Sequence, residues 1–87
     1  VSLEVATKMA KNSLDIFNAD YAVATTGYTG PTGGSSKHPI GTVFIAVANE
    51  FDTIVKHFIF NGSREIITNK IVYAAIELLI TEIKKNE

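Results

Sequence analysis

The stretch Thr26-Gly27-Tyr28-Thr29-Gly30-Pro31-Thr32-Gly33-Gly34 gathers hydrogen-bond donors that no bulky side chain shields. Gly27, Gly30, Gly33 and Gly34 leave their backbone amides bare, and Thr26 and Thr29 add hydroxyls. Donors of this kind suit an oxyanion that develops in acyl transfer, and they suit a phosphate equally well. A tight strand-loop-strand connection with no ligand is the other reading of the same residues. Tyr28 either meets the ligand or packs on a neighbouring helix. Arg64 offers a planar, permanently charged guanidinium for a phosphate, or else serves as a surface residue paired with Glu65. His38 and His57 are the two histidines. Their spacing gives no serine–histidine–acid arrangement and no metal pair, so no catalytic role, metal or cofactor is assigned. Lys37 and Lys56 read as solvated surface residues.

Three familiar glycine-rich motifs do not fit. A phosphate-binding P-loop needs a Gly-Lys-Ser/Thr ending, but Lys37 follows Ser36 and precedes His38. The loop also leads into a strand rather than a helix, so no helix N-terminus stands behind a phosphate. No Gly-x-Gly-x-x-Gly follows a strand, which argues against a dinucleotide fingerprint. Two collagen-like triplets are too few for a triple helix.

The elements that must position these residues follow from periodicity. Residues 2–17 predict a helix, with Ser2 as N-cap, Glu4 in the first turn, and Val5, Ala6, Met9, Ala10, Leu14 and Phe17 at helical spacing. Asn18-Ala19-Asp20 is a turn. Residues 21–25 predict a short buried strand, and the small Ala22 and Ala24 imply something packed closely on one face. Residues 26–40 predict the loop, with most of the chain's six glycines and both prolines in or beside it. Residues 42–48 are apolar on both alternating faces, which predicts a central strand covered from two sides. Asn49-Glu50-Phe51-Asp52 predicts a hairpin turn into an antiparallel strand over 53–60. Asn61-Gly62-Ser63 breaks the chain, with Asn61 or Ser63 as candidate cap of a long helix to about Lys84. In it Lys70, Tyr73, Glu77, Thr81 and Lys84 make one polar stripe. Ile67, Ile71, Val72, Ala75, Leu78, Leu79 and Ile83 spread over a wider arc than one sheet face needs.

Composition narrows the function classes. Eighty-seven residues make one small domain, and 46% hydrophobic with 20% charged residues reads as globular. A net charge of −1 without a basic block gives no support to nucleic-acid or membrane-surface binding. No apolar run reaches the length of a membrane span. The chain has no cysteine, which rules out disulfides and cysteine-ligated zinc.

The pattern Thr26-Gly27-Tyr28-Thr29-Gly30-Pro31-Thr32-Gly33-Gly34, followed by Pro39-Ile40-Gly41-Thr42-Val43, resembles the C-terminal domain of the competence/damage-inducible CinA family. Ala19-Asp20, the helix after Val1-Ser2, and Phe60-Asn61-Gly62-Ser63-Arg64 agree with its flanks, so the resemblance covers essentially the whole chain. It implies a three-layer α/β/α sandwich with a mixed sheet, of which this chain supplies α-β-β-β-α. It also implies a cytoplasmic, often dimeric bacterial protein. The implied activity is nicotinamide-mononucleotide (NMN) deamidation, in which water and NMN give nicotinate mononucleotide and ammonia. The family's Glu-Ser-Cys-Thr-Gly-Gly motif, with its serine nucleophile, is not in this sequence. The chain is therefore expected to be the C-terminal half of the domain, residues 1–87. It would contribute the substrate-binding loop through Thr26, Gly27, Tyr28, Thr29, Gly30, Gly33 and Gly34, with Arg64 on the phosphate. Expected partners are the nucleotide, the first half of the domain or another chain, and further copies of itself. A non-catalytic nucleotide-binding or oligomerisation module is the alternative, and a binder of some other phosphate ligand a third.

Overall fold

The computed structural model describes residues 1–30 and 39–87. In chain order they form α1 (Leu3–Ile16), β1 (Tyr21–Gly27), β2 (Thr42–Asn49), β3 (Thr53–Ile59) and α2 (Arg64–Lys85). Both helices start as the sequence predicts. The Ser2 hydroxyl accepts from the Val5 amide at 3.1 Å, and the Ser63 hydroxyl accepts from the Ile66 amide at 3.3 Å. Each satisfies a first-turn donor that has no partner within its helix. α1 stops at Asn18, whose φ of +48° turns the chain out of the helix. The Ala19 amide reaches back to the Leu14 carbonyl at 3.1 Å and the Asn18 amide to Asp15 at 3.3 Å, a Schellman closure with asparagine where glycine is usual.

The three strands lie in the order β1-β2-β3 and are antiparallel throughout. The mixed pairing implied for the whole domain is thus not contained in these three strands. The β2–β3 turn is closed by Asn49, whose side-chain oxygen accepts from the amides of Phe51 and Asp52, both at 2.8 Å. β2 is buried from Thr42 to Ala48. Its alternate residues build two separate cores. Phe44, Ala46 and Ala48 meet Ala6 and Ala10 of α1, together with Ala24 of β1. Val43, Ile45 and Val47 meet Leu78 of α2, with Ile71, Ala74, Ala75 and Leu79 around it. The three layers expected from the resemblance are therefore present, one helix on each face of the sheet.

Two boundaries and one burial pattern differ from the sequence reading. β1 runs on through Thr26 and Gly27, which pair with Phe44 and Val43. The loop therefore starts at Tyr28 instead of residue 26. β3 closes one residue early, at Ile59. In α1 only Ala6 and Ala10 are buried, while Val5, Met9 and Phe17 are exposed. The two alanines meet Ala24, Ala46 and Ala48 together with Phe44, which supplies the bulk of this core. The predicted polar stripe of α2 is exposed along its length, from Lys70 to Lys84.

The burial pattern orders the strands energetically. Ile45 is fully buried in the α2-side core, and Ile59 on the edge strand is 57% exposed. Ile45→Ala is expected to lower the unfolding free energy by about 2–5 kcal/mol, a large part of what so small a domain possesses. Ile59→Ala should cost under about 1 kcal/mol. Urea denaturation followed by circular dichroism measures both.

Candidate functional site

Chain direction gathers the predicted site residues at one end of the sheet. β1 ends there, β2 begins there, and β3 returns there before handing over to α2. α1 has roughly the length of β1 and runs against it, so its N-terminus also lies at this end, where Val1 packs on the α1-side core. Two helix N-termini therefore frame the same end, which favours negative charge there. Glu4 and Glu65 already occupy part of that role.

The root of the loop is built on two glycines. Gly27 lies opposite Val43, and a Cβ on it would come within 2.6 Å of the Thr42 carbonyl oxygen and 2.8 Å of a Val43 methyl. One residue further on, Gly41 and Thr42 together oppose Tyr28. The Tyr28 amide donates to the Thr42 carbonyl at 3.0 Å, and the Gly41 amide donates to the Tyr28 carbonyl at 2.6 Å. This is a β-bulge with glycine at its first position, where φ is +95°. The Gly41 carbonyl in turn accepts from the Phe60 amide at 2.9 Å, and a Cβ on Gly41 would overlap the Phe60 carbonyl. The bulge thus joins the root of the loop to the end of β3, four residues before Arg64. Gly30, with φ +83°, packs against Ile40.

The ladder decides which donors are available. Tyr28 spends its amide on Thr42, so it offers no free amide to a ligand. Tyr28 and Thr42 form a hydrogen-bonded pair, so alternation turns the Gly27 amide away from β2 toward the outer edge of β1. Among the described residues nothing pairs with that edge. Thr26 and Thr29 are half-buried beside it. The sequence reading missed Thr42. It is fully buried, and its hydroxyl has no hydrogen-bond partner among the described residues. Buried hydroxyls are nearly always bonded, so an unsatisfied one at the loop root is a point of polar contact in waiting. Its signal in the sequence was a polar residue inside an otherwise apolar strand, directly after Gly41.

Arg64 opens α2 at the same end. It is exposed, borders a shallow pocket with Glu65, Thr68 and Asn69, and makes no ion pair with Glu65 or any other described residue. It makes no hydrogen bond to residues 26–30. Gly33 and Gly34 lie outside the described residues, as do Lys37 and His38. His57 stacks on Phe44 with ring centroids 4.6 Å apart, a packing position on the α1 side of the sheet. Ser2 and Ser63 are committed as helix caps. No cluster of metal-ligating side chains occurs among the described residues.

Two helices flank a three-stranded antiparallel sheet, and the β1–β2 connection is rooted on a glycine bulge. The family model described as the CinA C-terminal domain matches residues 1–83, and the chain belongs to that family. A CinA-like protein of Thermosipho melanesiensis is 46% identical over 81 residues, which is 91% of this chain and 20% of that protein. A CinA-like protein of Geotalea daltonii is 41% identical over 83 residues, 95% of this chain and 20% of its own length. The crystal structure of competence damage-inducible protein A from Klebsiella pneumoniae superposes with a TM-score of 0.90 at 33% identity. The superposition covers 97% of this chain and 52% of that one. The competence/damage-inducible protein of Agrobacterium tumefaciens gives a TM-score of 0.89 at 34% identity, over 93% and 50% of the two chains. The chain thus spans about one fifth of these curated relatives and about half of these solved structures.

Gly41 is the position to test. Gly41→Ala forces a side chain into left-handed backbone and against the Phe60 carbonyl, and is expected to cost about 1–3 kcal/mol or more. Thermal unfolding reads the loss. Amide hydrogen exchange should show faster exchange at Tyr28 and Phe60 than at Ile45.

Proposed function

We propose that this chain is the ligand-binding half of a nicotinamide-mononucleotide amidohydrolase, which converts NMN and water to nicotinate mononucleotide and ammonia. One observation carries the reading. The edge-facing Gly27 amide, and the Thr42 hydroxyl and Arg64 guanidinium that have no partner among the described residues, all lie at the end of the sheet from which the glycine loop springs. Arg64 suits the 5′-phosphate, a dianion that a planar fork can hold in two hydrogen bonds. Donors at the loop root suit the amide oxygen as it gains charge during attack. Tyr28, at the root of the same loop, is on this reading the aromatic that meets the ring. Amide hydrolysis also needs an activated nucleophile, and the serines described at this end, Ser2 and Ser63, are helix caps. The nucleophile is therefore assigned to the other half of the domain.

The unpaired edge of β1 supports that division. A strand added there would satisfy its outward amides and carbonyls and would place a second set of side chains beside Gly27. It would also supply the mixed pairing that the three strands lack. The solved relatives, about twice as long, have the chain length to provide it. NAD recycling is cytoplasmic chemistry, and the protein is assigned to that compartment on this reading alone. No described helix is long and apolar enough to cross a membrane. The competing reading, a nucleotide-binding module without chemistry, is favoured by the one observation that no serine–histidine–acid arrangement exists among the described residues.

The test is ammonia release from NMN by the natural polypeptide that contains this chain and its upstream region. Turnover is expected there, and none from the 87-residue chain alone. Absence of turnover from the longer polypeptide, with NMN still bound in calorimetry, would establish the binding module instead. Arg64→Ala is expected to weaken NMN binding tenfold or more, the effect of one lost charge-assisted contact of about 1.5–3 kcal/mol. Thr42→Val should leave unfolding stability within about 1 kcal/mol, because the hydroxyl has no described protein partner to lose, while still weakening binding.

A further inference from the structure

The path from the loop root to Arg64 runs through residues 60–64 and is fastened at nearly every step. The Phe60 amide donates to the Gly41 carbonyl at 2.9 Å. Gly62 holds φ at +129°, and a Cβ there would come within 2.7 Å of an Ile66 methyl. Ser63 takes the Ile66 amide on its hydroxyl at 3.3 Å and the Ile67 amide on its carbonyl at 2.9 Å. Asn61 has no such local hold, since among the described residues no backbone amide donates to its carbonyl. Instead the Lys70 ammonium donates to it at 2.9 Å, reaching back from nine residues further along the chain. Nothing in the needs of α2 itself calls for a cation at this position. Lys70 stands in the second turn, close to the helix end whose dipole favours negative charge. It is exposed, so it covers no part of the sheet. The ion pair among the described residues is Lys85–Glu82, so Lys70 has no described carboxylate partner. Its bond to Asn61 closes the turn between β3 and α2 and limits where Arg64 can swing.

We infer that Lys70 is a positioning residue for Arg64, acting through the Asn61 carbonyl to hold the guanidinium at the loop end of the sheet, where it takes the nucleotide phosphate. The inference deepens the reading of Arg64 as the phosphate contact and rests on it. Lys70 does not act as a second hand on the same anion. Six residues along a helix place it about 120° around the axis from Arg64, so the two side chains leave α2 in different directions. Its charge matters instead because a charged donor makes a stronger bond to a carbonyl than a neutral one does. The hold matters because a planar guanidinium grips a phosphate through two parallel hydrogen bonds, and that geometry is lost when the backbone beneath it wanders.

The test uses the natural polypeptide that contains this chain and its upstream region, with two readouts. One is NMN binding by calorimetry. The other is hydrogen exchange at the amides of Phe60, Ile66 and Ile67, which are bonded to Gly41 and Ser63. Lys70→Met should weaken NMN binding roughly fivefold, less than a sheltered charge-assisted bond would give because the contact is exposed. It should speed exchange at those three amides and leave Ile45 as slow as before. Lys70→Arg keeps the charge and the donor and should restore both readouts. In the Arg64→Ala background, Lys70→Met should change NMN binding by about twofold or less, because a residue that acts through another has nothing left to act on. An equal loss in both backgrounds would show Lys70 acting on the ligand or the fold by itself and overturn the inference. Unchanged exchange in Lys70→Met overturns it as well, whatever NMN does. Faster exchange in a polypeptide that binds no NMN in any form would support the hold on Arg64 and sink the nucleotide reading instead.

Discussion

β2 is the constraint on which the rest of this structure depends. It is the strand that lies between two others and beneath two helices, and every residue from Thr42 to Ala48 is buried. Its odd-numbered residues make the core under α2 and its even-numbered residues the core under α1. A slip of one residue in its pairing would exchange the two sets, placing Phe44 where α2 expects Ile45 and opening the alanine-lined face to bulk. The register therefore fixes both layers at once, and with them the position of everything at the end of the sheet.

The bulge at Gly41 converts this rigidity into a site. An uninterrupted ladder would carry β1 and β2 into an ordinary hairpin. Instead Gly41 and Thr42 share one partner, Tyr28, and the Gly41 carbonyl also holds Phe60. Three strand ends are thereby fastened at one residue, and a long loop can leave a firm base. Glycine is required for two separate reasons. At Gly41 the backbone is left-handed, and at Gly27 the neighbouring strand is too near for a Cβ. Gly30 shares the left-handed requirement, with φ +83°.

Much of this was legible in the sequence because it rested on period and punctuation. The two-sided apolar run of 42–48, the serine caps, the hairpin at Asn49 and the order of elements all appear where the residues place them. What was misjudged has physical causes. Gly27 reads as a breaker, yet an edge strand tolerates glycine, so β1 extends through the first two residues assigned to the loop. Val5, Met9 and Phe17 share helical spacing with Ala6 and Ala10, and spacing alone does not reveal that alanines form the contact. The unsatisfied Thr42 hydroxyl was invisible, since partnership is a property of the fold. Arg64 opens α2, as the break at 61–63 implies, but its separation from Glu65 could not be read from adjacency.

The distribution of apolar residues leaves much of the described surface apolar. Among the described residues eleven hydrophobic side chains are buried, and five of them are alanine, each contributing little area. Thirteen large hydrophobic side chains are exposed. A domain that completed itself would show the opposite balance, because scattered apolar exposure is ordinary but whole rows of it mark contact surfaces. One row follows the outer side of α2, and β1 presents an unpaired edge. Covering either surface would add the burial that a chain of this size lacks, so association and folding stability are coupled here. The coupling reaches the site directly. The unpaired β1 edge carries the Gly27 amide, and the bulge that anchors the loop is bonded to the last residues of β3 before α2. A strand paired with that edge would therefore brace the same strand ends that carry Gly27, Thr42 and the loop root.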